Sequence, residues 1–145
     1  MPPDTESPGL EISIGEVQKE IEDQLIEEVR RFNDVVLGAE RSRSLAALAR
    51  DRNGDLAGGV SGRTLYGWFL IQVVWVREDL RGSGVGASLM QAAETEAIRR
   101  GCTGAQVDTV SFQAPDFYRK LGYREIGTIE DFPPGYRRHY FEKRL

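Results

Sequence analysis

The chain has one cysteine, Cys102, and one histidine, His139, among 145 residues. A single thiol excludes an intrachain disulfide and fits a reducing compartment, so a cytoplasmic location is expected. No cluster of His, Cys, Asp and Glu has metal-ligand spacing, so no metal is expected. An excess of positive charge is also lacking. The formal net charge is -4, which leaves no electrostatic footprint for nucleic acid and favours neutral or cationic partners. No apolar run is long enough for a membrane span. The opening "MPPDTESPG" is acidic and proline-rich rather than basic and then apolar, which argues against a signal peptide. Residues 1–9 read as a frayed tail. Repeats and low-complexity tracts are absent as well.

What remains is an ordinary globular composition. Hydrophobic residues make up 40% and charged residues 29%, enough for one core in one domain spanning 10–145. Residues 10–17 read as a short strand. Over 16–34 the apolar residues Val17, Ile21, Leu25, Val29 and Phe32 step by three or four, which predicts an amphipathic helix with an acidic, solvated outer face. Asn53-Gly54 is a strong hairpin signal, because a tight primed turn needs positive φ at both central residues. It predicts that 44–51 pairs with 56–64. Tyr66-Gly67 then turns the chain into "WFLIQVVWV" at 68–76, a β-branched and aromatic run expected to be a central strand buried on both faces.

A helix is expected over 87–100 with Gly101 closing it, then a strand over 103–111. Reached through a helical crossover, that strand should run parallel to the one at 68–76. "APDFYRKLGY" predicts a short helix opened by Pro115 and closed by Gly122, and two strands joined by "DFPPG" complete the chain. The expected class is α/β (or α+β). It is a mostly antiparallel sheet of about six to seven strands, with one parallel crossover and helices on both faces.

Between the strand at 68–76 and the following helix lies "LRGSGVGASLM". Three glycines before a helix start make an anion site, because free N–H groups and the helix dipole both favour negative charge. Gly82, Gly84 and Gly86 allow close backbone approach, Arg81 adds charge, and Ser88 offers a hydroxyl in the first turn. A triphosphate loop needs Lys-Ser/Thr after its last glycine, whereas Ala87-Ser88 stands there. A dinucleotide fingerprint is formally met by Gly82, Gly84 and Ala87, but one crossover supplies too little parallel sheet for it. The third pattern, Arg/Gln-x-x-Gly-x-Gly/Ala, is met by Arg81, Gly84 and Gly86.

That third pattern, together with "FYRKLGY", resembles the GNAT superfamily of acyl-CoA-dependent N-acyltransferases from about residue 44 to the end. "WVREDLRGSGVGASLMQAAETEAIRRGC" is similar to the family's pyrophosphate loop and long helix, and "VDTVSFQAPDFYRKLGYREIG" to its next strand and helix, in the family's order. The resemblance implies acetyl-CoA as co-substrate and no metal. The strands at 68–76 and 103–111 would splay to admit the pantetheine arm, which would pair with backbone at Val74, Trp75 and Val76. The pyrophosphate would lie on Arg81, Gly82, Ser83, Gly84, Val85, Gly86, Ala87 and Ser88, with Phe117 and Tyr118 also beside the coenzyme. Tyr118 matches the family tyrosine that protonates the leaving thiolate.

Many relatives carry a glutamate base where this chain has Gln72, which puts a base on that strand in doubt. Asp108, Glu130, Asp131 or a water relay are the alternatives. The family's acceptor pocket would lie near 32–43 and 128–136; Glu130, Asp131, Phe132 and Tyr136 of the second loop, with Gln72 on the strand at 68–76, are the candidate substrate residues. Carboxylates and aromatic rings would suit a cationic amine. The implied function is acetylation of a small-molecule amine. A peptide N-terminus or lysine as acceptor, and a CoA-binding module without turnover, are the alternatives. Family members often pair, so a homodimer is implied by analogy. His139 and Cys102 read as structural.

Overall fold

The computed structural model describes residues 9–145, in two compact units, the residues before Glu40 and Glu40–Leu145. Residues 1–8, most of the expected tail, lie outside the described residues.

Among its described residues the first unit contains one helix, α1 (Lys19–Leu37). It begins three residues later and ends three residues later than the periodicity predicts, because Val35, Val36 and Leu37 continue the helix to Gly38. There φ turns to 81° and the glycine N–H closes on Asp34 O at 3.0 Å. The strand expected over 10–17 does not form. A strand is defined by a pairing partner, which a local sequence pattern cannot supply.

The second unit is a six-stranded sheet in the order β1-β2-β3-β4-β6-β5. Its strands are β1 (Arg43–Arg50), β2 (Leu56–Leu65), β3 (Trp68–Val76), β4 (Gly104–Val110), β5 (Arg124–Glu130) and β6 (Arg137–Arg144). Every pairing is antiparallel except β3 with β4, the crossover pair, which runs parallel as expected. α2 (Val85–Arg99) makes that crossover, and α3 (Pro115–Lys120) follows β4. The sequence places both helix ends well. Gly101 takes φ 89° after α2, its N–H bonds Ile98 O, and the Cys102 N–H bonds Ala97 O, the paired closure that a left-handed glycine permits. Pro115 begins α3 and Gly122, φ 89°, follows it.

Both expected hairpins form, β1 with β2 and β2 with β3, but the first is not closed by the tight turn that Asn53-Gly54 predicts. Tyr66 and Gly67 have φ 52° and 76° between paired Leu65 and Trp68, so the two-residue primed turn is here. Asn53-Gly54 instead belongs to a wider loop. The Asp51 carboxylate accepts the N–H groups of Asn53 and Asp55 at 2.9 and 3.0 Å, and Arg77 holds it from outside at 2.9 Å. Only Gly54 is left-handed, φ 82°. Aspartate's ability to bond its own loop decides the turn type.

One core joins the sheet to α2 and α3. Val60, Phe69, Ala97, Ala105 and Phe141 have no exposed surface, and Met90 and Tyr118 close over them. In-register neighbours such as Phe69 with Ala105 and Val107 with Phe141 share a face, so both helices pack on the same side. Phe141→Ala should cost about 3–5 kcal/mol, since the ring is fully buried against Tyr118 and its loss leaves a cavity in the core. Urea unfolding monitored by circular dichroism measures it.

Two features of β3 prepare the site. The β2–β3 register passes from Ser61↔Val73 to Gly62↔Ile71, which leaves Gln72 as an extra, bulged residue. Gly62 is obligatory opposite it, because a Cβ there would lie 2.1 Å from Leu70 O. In addition, β3 pairs β4 only at Trp68, Phe69 and Leu70. The expectation of a strand buried on both faces therefore fails along its outer half. Phe69 and Ile71 are buried, whereas Gln72, Val73 and Trp75 are exposed where the strands part.

Candidate active site

Past Leu70 and Gln106 the two parallel strands diverge and leave a cleft of about 800 Å³. One wall is Gln72–Val76, the edge of β3 without a strand partner. The other is Val107–Thr109 of β4. The glycine turn closes one end, and α3 with Phe112–Ala114 forms the floor.

The turn is built as an anion cradle. A single 3-10 turn, Glu78–Leu80, precedes it, and Arg81 bends back so that its Nε donates to Val76 O at 3.0 Å. Gly84 caps α2 with φ 89°, and no side chain bonds the helix start. The first helical bond runs from Ser88 N–H to Gly84 O, so the amides of Val85, Gly86 and Ala87 have no acceptor within the helix. No acidic residue stands in that first turn. A donor set of this kind binds phosphate oxygens.

The expected residues do not all contribute alike. Val74, Trp75, Val76, Arg81, Gly82, Gly84, Gly86, Ala87, Phe117 and Tyr118 line the cleft. The Ser83 hydroxyl turns away and donates to Leu80 O. The Val85 side chain packs on the core, which leaves it only its amide. The Ser88 amide is spent on Gly84 O. Gly86 is where α2 touches α3. A Cβ there would meet the Phe117 ring at 3.1 and 3.2 Å.

Tyr118 is 5% exposed, its ring held edge-on by Phe117 at 5.2 Å and Tyr123 at 6.0 Å. Its hydroxyl makes no hydrogen bond to the described residues, yet the residue lines the cleft. Burial, and secondarily the Asp108 carboxylate, pushes the phenol up to about 12. Tyr123 is pushed up further by burial and by Glu94, to which its hydroxyl donates at 3.3 Å. Lys143 bonds the same carboxylate at 2.6 Å, so this buried cluster ties α2 to β6 behind Tyr118.

Gln72 lies in the cleft as expected, but Glu130, Asp131, Phe132 and Tyr136 do not line it. Each is engaged near its own hairpin. Glu130 pairs with Arg137 at 2.8 Å, and Asp131 accepts the Gly135 N–H at 3.3 Å. The Phe132 ring lies 4.0 Å beneath the Arg138 guanidinium, and Tyr136 meets Phe112 edge-on at 4.8 Å. Phe112, Lys120 and Leu121 line the cleft without having been anticipated. The last two follow Phe117 by three and four residues, so helical spacing from the recognised motif was the available signal. His139 stacks on Phe141 and bonds Glu125 at 2.9 Å, a structural role. Burial pushes the Cys102 thiol up, as suits core filling. Among the described residues no group of three or more His, Cys, Asp or Glu is placed to hold a metal, and no helix is long and apolar enough to cross a membrane.

A parted parallel strand pair beside a glycine-capped helix leaves an elongated cleft with free backbone donors at one end and an open β3 edge along one wall. Residues 12–123 match the model of the acetyltransferase (GNAT) family. The chain is 40% identical to a blasticidin-S acetyltransferase of Streptomyces morookaense over 76% of its length and 82% of that protein's. It is 32% identical to an acetyltransferase of Agrobacterium fabrum over 93% and 96% of the two chains. A crystal structure of an acetyltransferase from Bacillus cereus superposes with a TM-score of 0.83 at 33% identity, covering 92% of this chain and 98% of that one. The chain belongs to the GNAT family. It is accordingly an acyl-CoA-dependent acetyltransferase.

Proposed function

We propose that this enzyme moves an acetyl group from acetyl-CoA to a primary amine of a small molecule, with Tyr118 assisting departure of the thiolate. The observation that carries this reading is the shared cleft. It is lined by an unpaired β3 edge, a helix start with free amides, and a phenol without a protein partner. These features fit acetyl-CoA. The free amides of Val85, Gly86 and Ala87, with the Arg81 guanidinium beside them, would hold the pyrophosphate, and backbone on the open edge of Val74–Val76 the pantetheine arm. When bound, acetyl-CoA supplies an acyl group activated as a thioester.

The Val74 and Val76 amides, on the edge of β3 that β2 does not use, would stabilise the negative charge that grows on the acyl oxygen. Tyr118, neutral up to about 12, donates a hydrogen bond to the sulfur as the C–S bond breaks and the C–N bond forms. A thiol has a pKa of about 8.5, so complete transfer from the phenol is uphill by several units. Tyr118 therefore stabilises the departing charge, and the proton shed by the amine finally neutralises the sulfur. Gln72, an amide on the bulge, has no basicity to offer that proton.

A small acceptor is supported by the cleft's size, by the net charge of -4, and by the blasticidin-S acetyltransferase being 40% identical. Thiol release across a panel of small amines and basic peptides tests this. Turnover of blasticidin S or another small cationic amine is expected, with no mass shift on the peptides. Peptide turnover alone would sink the reading. The bulged Gln72 favours one other reading, a CoA-binding module without turnover, and binding of acetyl-CoA without transfer to any amine would identify it.

A further inference from the structure

We infer that Asp108 receives the charged amine of the acceptor, and that Arg138, braced on Phe132, is the positioning residue that aims it. This rests on the small-amine acetyltransferase reading above.

The argument starts from strand alternation. On β4, Val107 and Thr109 turn to the buried face that carries α2 and α3, so Asp108 turns to the other. The features suited to the acyl donor, the start of α2 and Tyr118, belong to the first face. Because β3 and β4 part, the cleft opens between them, and Asp108 lines it together with Tyr118. The acceptor must approach the acyl group from the side the donor does not fill, and that is the side of Asp108.

Charge along the cleft is segregated to match. Its other charged lining residues are the cations Arg81 and Lys120, suited to phosphates, while Asp108 is its single carboxylate. Arg138 binds one of its oxygens, Oδ2, at 3.1 Å, and no described donor reaches Oδ1. One acceptor oxygen is thus held and the other is left for a ligand. Arg138 itself is placed at a cost. Its Nε is buried without a partner, while its guanidinium lies 4.0 Å over the Phe132 ring. An orphaned buried donor gives up its hydrogen bonds to water with nothing in return. Fixing Asp108 is what this arrangement achieves. The 128–136 loop then influences acceptor binding through Arg138 without lining the cleft.

The test measures thiol release from acetyl-CoA with blasticidin S, spermidine and kanamycin as acceptors. If the wild-type enzyme turns over none of them, the small-amine reading fails and this inference is overturned with it. For whichever is a substrate, Asp108→Asn should raise the amine KM about tenfold or more while the acetyl-CoA KM stays within about twofold. An unchanged amine KM, or equal changes in both, overturns the inference and leaves the function standing. Arg138→Gln should raise the amine KM in the same direction and Arg138→Lys should restore most of it. Failure of that rescue removes Arg138 from the account. One measurement needs no variant, should Asp108→Asn not fold. Tetramethylammonium should compete with the amine on the wild-type enzyme and neutral tert-butanol should not; equal inhibition, or none from the cation, overturns the inference.

Discussion

Tyr118→Phe should lower kcat by about 10²-fold or more while leaving acetyl-CoA affinity within about twofold. The hydroxyl bonds no described residue, so its removal breaks nothing in the fold. The ring itself stays held by Phe117, Tyr123 and Phe141. What is lost is a donor aimed into the cleft, needed only when charge accumulates on sulfur. An interaction realised in the transition state alone appears in kcat rather than in binding. Steady-state thiol release and calorimetric titration with acetyl-CoA separate the two. The pH profile adds a second readout. Because burial raises the phenol to about 12, it remains a donor throughout the working range. The ratio of wild-type to variant kcat should then stay constant from about pH 6 to about pH 9, with any alkaline or acid limb common to both enzymes. A ratio that collapses within that range would show that Tyr118 titrates there and so lacks the assigned role. A catalytically silent CoA-binding module would show no kcat to lose.

Gly86→Val should weaken acetyl-CoA binding about tenfold and destabilise the protein by about 1–3 kcal/mol. The cause is space, not backbone conformation. A Cβ at Gly86 would already press on the Phe117 ring at 3.1 and 3.2 Å and approach Val76 Cγ2 at 3.5 Å. The two γ-methyls of valine have nowhere to go unless α2 lifts from β3 or α3 moves outward. Either displacement alters the distance between the anion cradle and Tyr118, which one long ligand must span. Shrinking Phe117 in the same chain, as Phe117→Ala, should recover part of the lost affinity. That non-additivity distinguishes a steric wedge from independent damage. Equal losses that simply add would dismiss the wedge.

How much of this was legible in the sequence depends on the range of the interaction involved. The ends of α2 and α3 were, because Gly101, Pro115 and Gly122 act on their own backbone. So was the glycine turn, whose chemistry is also local. The Asn53-Gly54 loop was misjudged because the deciding contact comes from Asp51, itself steadied by Arg77 from across 26 positions. Residues 10–17 had the composition of a strand but no means of announcing a partner. The outer half of β3 has the apolar composition of a buried strand and borders a cleft instead, since its neighbour diverges after three paired residues. Most residues expected beside the donor line the cleft, whereas of those expected beside the acceptor only Gln72 does. Asp108 was one of several carboxylates in the sequence. Only the β4–β6 pairing, which brings Arg138 against it from 30 positions away, sets it apart.

The strand order has a consequence for how the molecule is made. β6 lies between β4 and β5, which pair with it and not with each other. A chain emerging from the ribosome at about 5–20 residues per second has β1–β3 and α2 available several seconds before Arg137–Arg144 appears. Throughout that interval β4 has only its three-residue attachment to β3, and β5 has no ladder at all. The phosphate cradle can thus form early, while the wall carrying Asp108 and the support beneath Tyr118 wait for the last strand. The side proposed for the donor is thus built before the side proposed for the acceptor.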